Sequence, residues 1–86
     1  NQILAQGTIE TFYVASGSEI VGKSIKELDL KARTGATILN IIRENKTITH
    51  PSSDLIFQAA DQLIIFGSHS ALDLALSTLG GGGGAE

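Results

Sequence analysis

Gly17-Ser18-Glu19-Ile20-Val21-Gly22-Lys23-Ser24 matches the pattern G-x-x-x-x-G-K-S over its whole length. In a working phosphate loop the backbone amides cradle the phosphates, the lysine reaches the terminal ones and the serine hydroxyl ligates magnesium. That chemistry needs a rigid following helix, a later strand ending in an acid for the metal, and a parallel sheet beneath. Here the apolar pattern after Ser24 lasts about two turns. Leu63-Ile64-Ile65-Phe66 runs into Gly67-Ser68 rather than into an acid, and the chain is too short for such a sheet. The eight residues therefore read as a turn: Gly17 and Gly22 for the bends, Lys23 in solvent, Ser24 as a helix N-cap. A nucleotide hydrolase is not expected, nor any enzyme.

Three other positions could carry chemistry. His50 precedes the single proline, Pro51, and no serine or acid lies at a spacing that would make it a catalytic base, so it reads as an exposed loop residue. Arg43 ends an otherwise apolar run. It is either an edge residue whose stem lies on apolar surface or an anion-binding fork at a subunit groove. Asn40, inside the same run, needs a hydrogen-bond partner if it is buried.

Composition narrows the classes. The 86 residues allow one domain, and 42% of them are hydrophobic. A single core of this size buries only about 60% of the unfolded surface, so the surplus apolar area predicts a subunit interface. The absence of cysteine rules out disulfides and thiolate metal sites. A net charge of −3 argues against nucleic acid and anionic membrane surfaces as partners. The apolar runs are too short to insert into a membrane, and no signal peptide is visible. The Asn1 start reads as a segment of a longer chain, and Gly80–Glu86 as a flexible glycine-rich tail behind a domain of residues 1–79.

The elements follow from periodicity. Thr8–Val14 is a strand with Phe12 and Val14 on one face and Ile9, Thr11 and Tyr13 on the other. Ser24-x-x-Glu27 is a capping box that starts a short helix ending by Thr34-Gly35. In Ala36–Arg43, strict alternation puts Ile38 and Ile42 on one face and Leu39 and Ile41 on the other, which predicts a strand covered on both faces. Glu44-Asn45-Lys46 turns this strand into a third, Thr47–Thr49, ended by Pro51. Gln62–Gly67 is a fourth strand, also apolar on both faces. The last helix carries a Leu72, Ala75, Leu76, Leu79 stripe, with Leu74 off it, Ser70-x-x-Asp73 as a capping box, Ser68 as a rival cap and Gly80 as its stop. The fold class is therefore α+β, in the order β-α-β-β-β-α. Its sheet is small and mostly antiparallel, with helices on one face and the other face left for a dimer partner.

This set of features resembles the TrkA carboxy-terminal domain, also called the RCK C-terminal domain, from Phe12 to Leu79. The resemblance rests on Phe12-x-Val14, on Gly17-Ser18-x-Ile20-Val21-Gly22-Lys23-Ser24-Ile25-x-Glu27-Leu28, and on Gly35-x-x-Ile38 through Ile42-Arg43. It continues with Pro51-x-x-Asp54 and Asp61-x-Leu63-x-x-x-Gly67; Ala60 stands where the family has glycine. It implies a dimerising or ring-forming, non-catalytic module. Such modules regulate potassium uptake systems, potassium channels or cation/proton antiporters from the cytoplasmic side, through a membrane-embedded transport subunit. No cofactor is implied on the domain itself; NAD or ATP would belong to an upstream domain. Some members bind cyclic di-AMP between two copies. The groove so implied comprises Asn40, Ile41, Ile42, Arg43, Ile48, His50 and Pro51, with Arg43 and His50 facing the anion and the isoleucines facing adenine.

Overall fold

A computed structural model describes residues 7–80. Its strands are β1 (Thr8–Tyr13), β2 (Thr37–Arg43), β3 (Lys46–Thr49) and β4 (Gln62–Gly67), and its helices are α1 (Ile25–Leu28), α2 (Leu30–Thr34) and α3 (His69–Leu79). The sheet has the order β1-β4-β2-β3, and every neighbouring pair is antiparallel. The helices lie on one face, as expected. Leu63 and Ile65 of β4 and Ile41 of β2 are fully buried beneath Leu72, Ala75 and Leu79 of α3. Gly67 permits the close approach at the start of α3: a Cβ there would stand 3.2 Å from the Ala71 Cβ and 3.4 Å from Ala36.

β2 departs from strict alternation. Ile38 pairs with Ile65 but Asn40 with Ile64, so Leu39 is an extra residue, a β-bulge. The bulge shifts the period by one, and Ile38 and Ile41 both face the core while Asn40 and Ile42 face outward with Ile64 and Gln62. The expectation that Leu39 and Ile41 share a face is therefore wrong. Ile41 is completely buried, whereas Leu39 is 36% exposed. The outer face carries Ile9, Tyr13 and Phe66 instead.

Three helix details also differ from the sequence expectation. The first helix is broken at Asp29, which takes a left-handed conformation (φ 52°) between α1 and α2. Ser68, not Ser70, caps α3, its Oγ accepting from the Ala71 amide at 3.1 Å. Gly80 ends α3 at φ −80°, without a left-handed cap. The Ser24–Glu27 capping box is present in both directions, at 3.1 and 2.8 Å, and Leu74 is exposed. Gly81 to Glu86, most of the expected glycine-rich tail, lie outside the described residues.

Candidate functional site

The phosphate-loop lookalike is a closed turn. Between Ser18 and Lys26 its amides are used internally: Ser18 to Ala15, Val21 to Ser18, Gly22 to Phe57, Lys23 to Ile20, Ile25 to Leu55 and Lys26 to Ser53. The Ile20 amide donates to Ser18 Oγ and the Ser24 amide to Glu27 Oε1. Ser24 is buried, and its hydroxyl accepts from the Glu27 amide. Eight amides that could cradle a phosphate are thus occupied, as is the hydroxyl that would ligate a metal. Gly22, at φ 92°, is the residue this turn requires to be glycine.

Arg43 is equally committed. Its Nε and Nη2 donate to the two Asp61 carboxylate oxygens, both at 2.8 Å, and Nη2 also donates to the Ile56 carbonyl at 2.9 Å. Asp61 has no exposed surface and accepts from the Gln58 amide as well. Burial pushes the Asp61 carboxyl up, but the Arg43 hydrogen bonds and the Gln58 amide outweigh it and hold the group below its ordinary value. The guanidinium is correspondingly raised by Asp61. Of the two readings of Arg43, the edge residue and the anion-facing fork, the geometry supports neither. It is a bidentate clamp joining the end of β2 to the turn before β4. In that turn Ala60 sits at φ 74°, so the departure from glycine leaves the conformation in place and strained.

The other implied groove residues do not converge. Ile41 is buried in the core and Ile48 pairs with it across β2 and β3. Asn40 and Ile42 lie half-buried on the outer face, and among the described residues no buried side-chain nitrogen or oxygen lacks a partner. His50 is exposed at φ 51°. Pro51 alone of the seven lines a cavity.

That cavity, about 290 Å³, opens between α1, α2, the start of β2 and the segment after β3. Ile25, Leu30, Ala36, Ile38 and Pro51 give it an apolar floor, and Lys26, Asp29 and Lys31 stand around it. The helix break at Asp29 falls between the two lysines, and all three residues line this cavity. Lys26 Nζ lies 3.0 Å from Asp54 in a well-exposed pair, which restrains it weakly. The salt bridges among the described residues are this one and Arg43–Asp61, so Lys31 is unpaired. An apolar slot beside an unpaired ammonium suits a flat heterocycle linked to an anion. The sequence held a signal for this site that periodicity passed over. Four of the six cationic residues of an acidic chain, Lys23, Lys26, Lys31 and Arg33, fall within one short segment.

Known proteins resemble this chain in sequence and in fold. The chain is 33% identical over 61 residues to potassium channel protein 1 of Methanocaldococcus jannaschii, covering 71% of this chain and 18% of that protein. It is 31% identical over 65 residues to the K(+)/H(+) antiporter subunit KhtT of Bacillus subtilis, covering 74% and 39%. The chain spans 10% to 39% of the length of the curated relatives it matches. Among solved structures, the RCK_C domain dimer of S. agalactiae BusR in complex with c-di-AMP superposes with a TM-score of 0.75 at 29% identity, covering 87% of this chain and 91% of that one. BusR is also known in complex with its busAB-promotor DNA, in a chain of which this one covers 36%. The low net charge therefore speaks for this segment alone, not against nucleic acid as a partner of proteins that carry such a domain. The TrkA-C domain model matches residues 9–80, and the chain belongs to the TrkA-C domain family.

Proposed function

We propose that this chain is a non-catalytic, dimeric regulatory segment of a potassium or other cation transport system, working on the cytoplasmic side of the membrane. No helix among the described residues is long and apolar enough to cross a membrane, so a separate transport subunit or segment would carry the ion. The family and the potassium-transport relatives support the gating role.

The cavity favours a more specific reading, a sensor of cyclic di-AMP. It pairs an apolar floor with Lys26 and Lys31, and a relative of the same fold holds that ligand as a dimer. A ligand with two adenines and two phosphodiesters suits a twofold dimer, one base per cavity. In this reading Ile25, Ile38 and Pro51 take the base and Lys31 the phosphate, with His50 at the rim. Asn40, Ile41, Ile42 and Ile48 shape the strands behind the groove, and Arg43 fixes the end of β2. Calorimetry of the 86-residue chain with cyclic di-AMP is expected to give saturable heat at about one ligand per two chains. Lys31→Ala is expected to weaken binding about tenfold, the size of one lost charged hydrogen bond. No heat from the wild-type chain would remove the sensor reading and leave gating without a ligand here.

A further inference from the structure

The cavity is ringed by opposite charges that cancel. Lys26, Lys31 and Asp29 line it, and Asp54 holds the Lys26 Nζ at 3.0 Å. Two ammonium groups thus stand with two carboxylates, but the two lysines are not equivalent. Lys31 takes part in neither of the salt bridges among the described residues. Lys26 and Asp54, by contrast, stand on backbones bonded to each other. Residues 22–26 and 53–57 pair antiparallel around the Ser24–Ile56 bridge. The Phe57 amide donates to the Lys23 carbonyl at 2.9 Å, the Ile25 amide to the Leu55 carbonyl at 3.0 Å and the Lys26 amide to the Ser53 carbonyl at 2.9 Å. This short ladder keeps the Asp54 carboxylate beside the Lys26 ammonium whether or not a ligand is present.

What such a rim admits follows from charge. One unpaired ammonium matches a phosphodiester, which carries one negative charge. A phosphomonoester at pH 8 carries about two. Its second charge would meet a lysine already neutralised and the carboxylates of Asp29 and Asp54. The energy of a charge in a fixed field is proportional to that charge, so each carboxylate costs a dianion twice what it costs a monoanion. An unfavourable charge set against the wrong ligand is one way a site gains specificity.

We infer that Asp54, by occupying Lys26, sets each cavity to accept a single negative charge. The cavity then takes the phosphodiesters of a cyclic dinucleotide and rejects the terminal phosphomonoester of its ring-opened product. The inference rests on the sensor reading above and adds to it the residue that tells the ligand from its hydrolysis product. Water that opens one of the two ester links leaves both adenines in place, converts that diester to a monoester and so adds one negative charge. Ring closure itself favours the cyclic form by preorganisation, and does so equally in every variant. The decisive quantity is therefore how the ratio of the two affinities changes.

The test measures binding of cyclic di-AMP, and its displacement by the linear 5′-phosphorylated dinucleotide, at pH 8 and low salt. The wild-type chain is expected to prefer the cyclic ligand. Asp54→Asn is expected to narrow the ratio about threefold and Asp54→Lys about tenfold, the size of one and two exposed charge contacts. Asp54→Glu should keep the wild-type ratio. Glu10→Lys makes the same change in net charge as Asp54→Lys at an exposed residue of β1, outside the cavity lining, and should leave the ratio in place. A variant that merely loosened residues 53–57 would weaken both ligands together without moving it. An unmoved ratio in Asp54→Lys, or an equal movement in Glu10→Lys, would overturn the role of Asp54 while cyclic di-AMP binding kept the sensor reading. No binding of cyclic di-AMP by the wild-type chain removes that reading and this inference with it.

Discussion

Asp61 and Arg43 show how a residue that looks functional can be wholly spent on architecture. A fully buried carboxylate is costly unless its charge is met, and here both oxygens are met by one planar fork. Asp61→Asn keeps the shape but leaves the arginine, whose side chain is 22% exposed, without its counter-charge. The expected loss is about 3 kcal/mol, read by urea unfolding. The pH dependence follows from the direction of the shift. The carboxyl is held below its ordinary value when folded, so its stabilisation is complete above the unfolded pKa of about 4 and disappears as pH falls through the folded value. Thermal melts of the wild type should fall steeply below pH 4, and melts of Asp61→Asn should be flatter there. A variant that melts in parallel with the wild type would show that the pair carries no pH-dependent stability.

At the level of elements, the chain order, the four strands and the antiparallel class were all readable from β-branched runs and turn residues. What escaped was the phase within an element. A bulge inserts one residue without changing composition, so strict alternation assigned Ile41 to the wrong face while naming the right strand. The break at Asp29 escaped for a similar reason. Nothing in Leu28-Asp29-Leu30 forces a left-handed residue, and the break falls among the residues that line the cavity, between Lys26 and Lys31. The groove implied by resemblance therefore overlapped the cavity at Pro51 alone. The cap of α3 tests how local these rules are. Ser68 Oγ holds the Ala71 amide, whereas Ser70 is exposed and its hydroxyl lies 3.5 Å from Ser68 Oγ. Ser68→Ala is expected to cost about 1 kcal/mol and Ser70→Ala no more than about 0.5 kcal/mol, by chemical denaturation. Equal costs would mean that the Ser70–Asp73 pattern caps the helix after all.

The whole molecule places its helices on one sheet face and leaves apolar residues on the other, an arrangement that suits a protomer better than a free-standing domain. Its core lies between the sheet and the helices, with Leu28, Leu30, Ile20 and Phe57 joining the residues of α3, and a domain of this size rarely exceeds about 10 kcal/mol of stability. If a second copy covers the remaining apolar surface, folding and association share one free energy. The thermal midpoint should then rise with protein concentration over a hundredfold dilution series. Cyclic di-AMP at about a hundred times its dissociation constant should add about 2.7 kcal/mol. In a domain this small that corresponds to roughly 10 °C or more. The two effects have separate origins and separate signatures. Dilution reports the contact between copies, and ligand titration at fixed concentration reports the cavity. A midpoint that ignores dilution would make the monomer the native unit. A midpoint that follows dilution but ignores the ligand would keep the dimer and leave the cavity without that occupant.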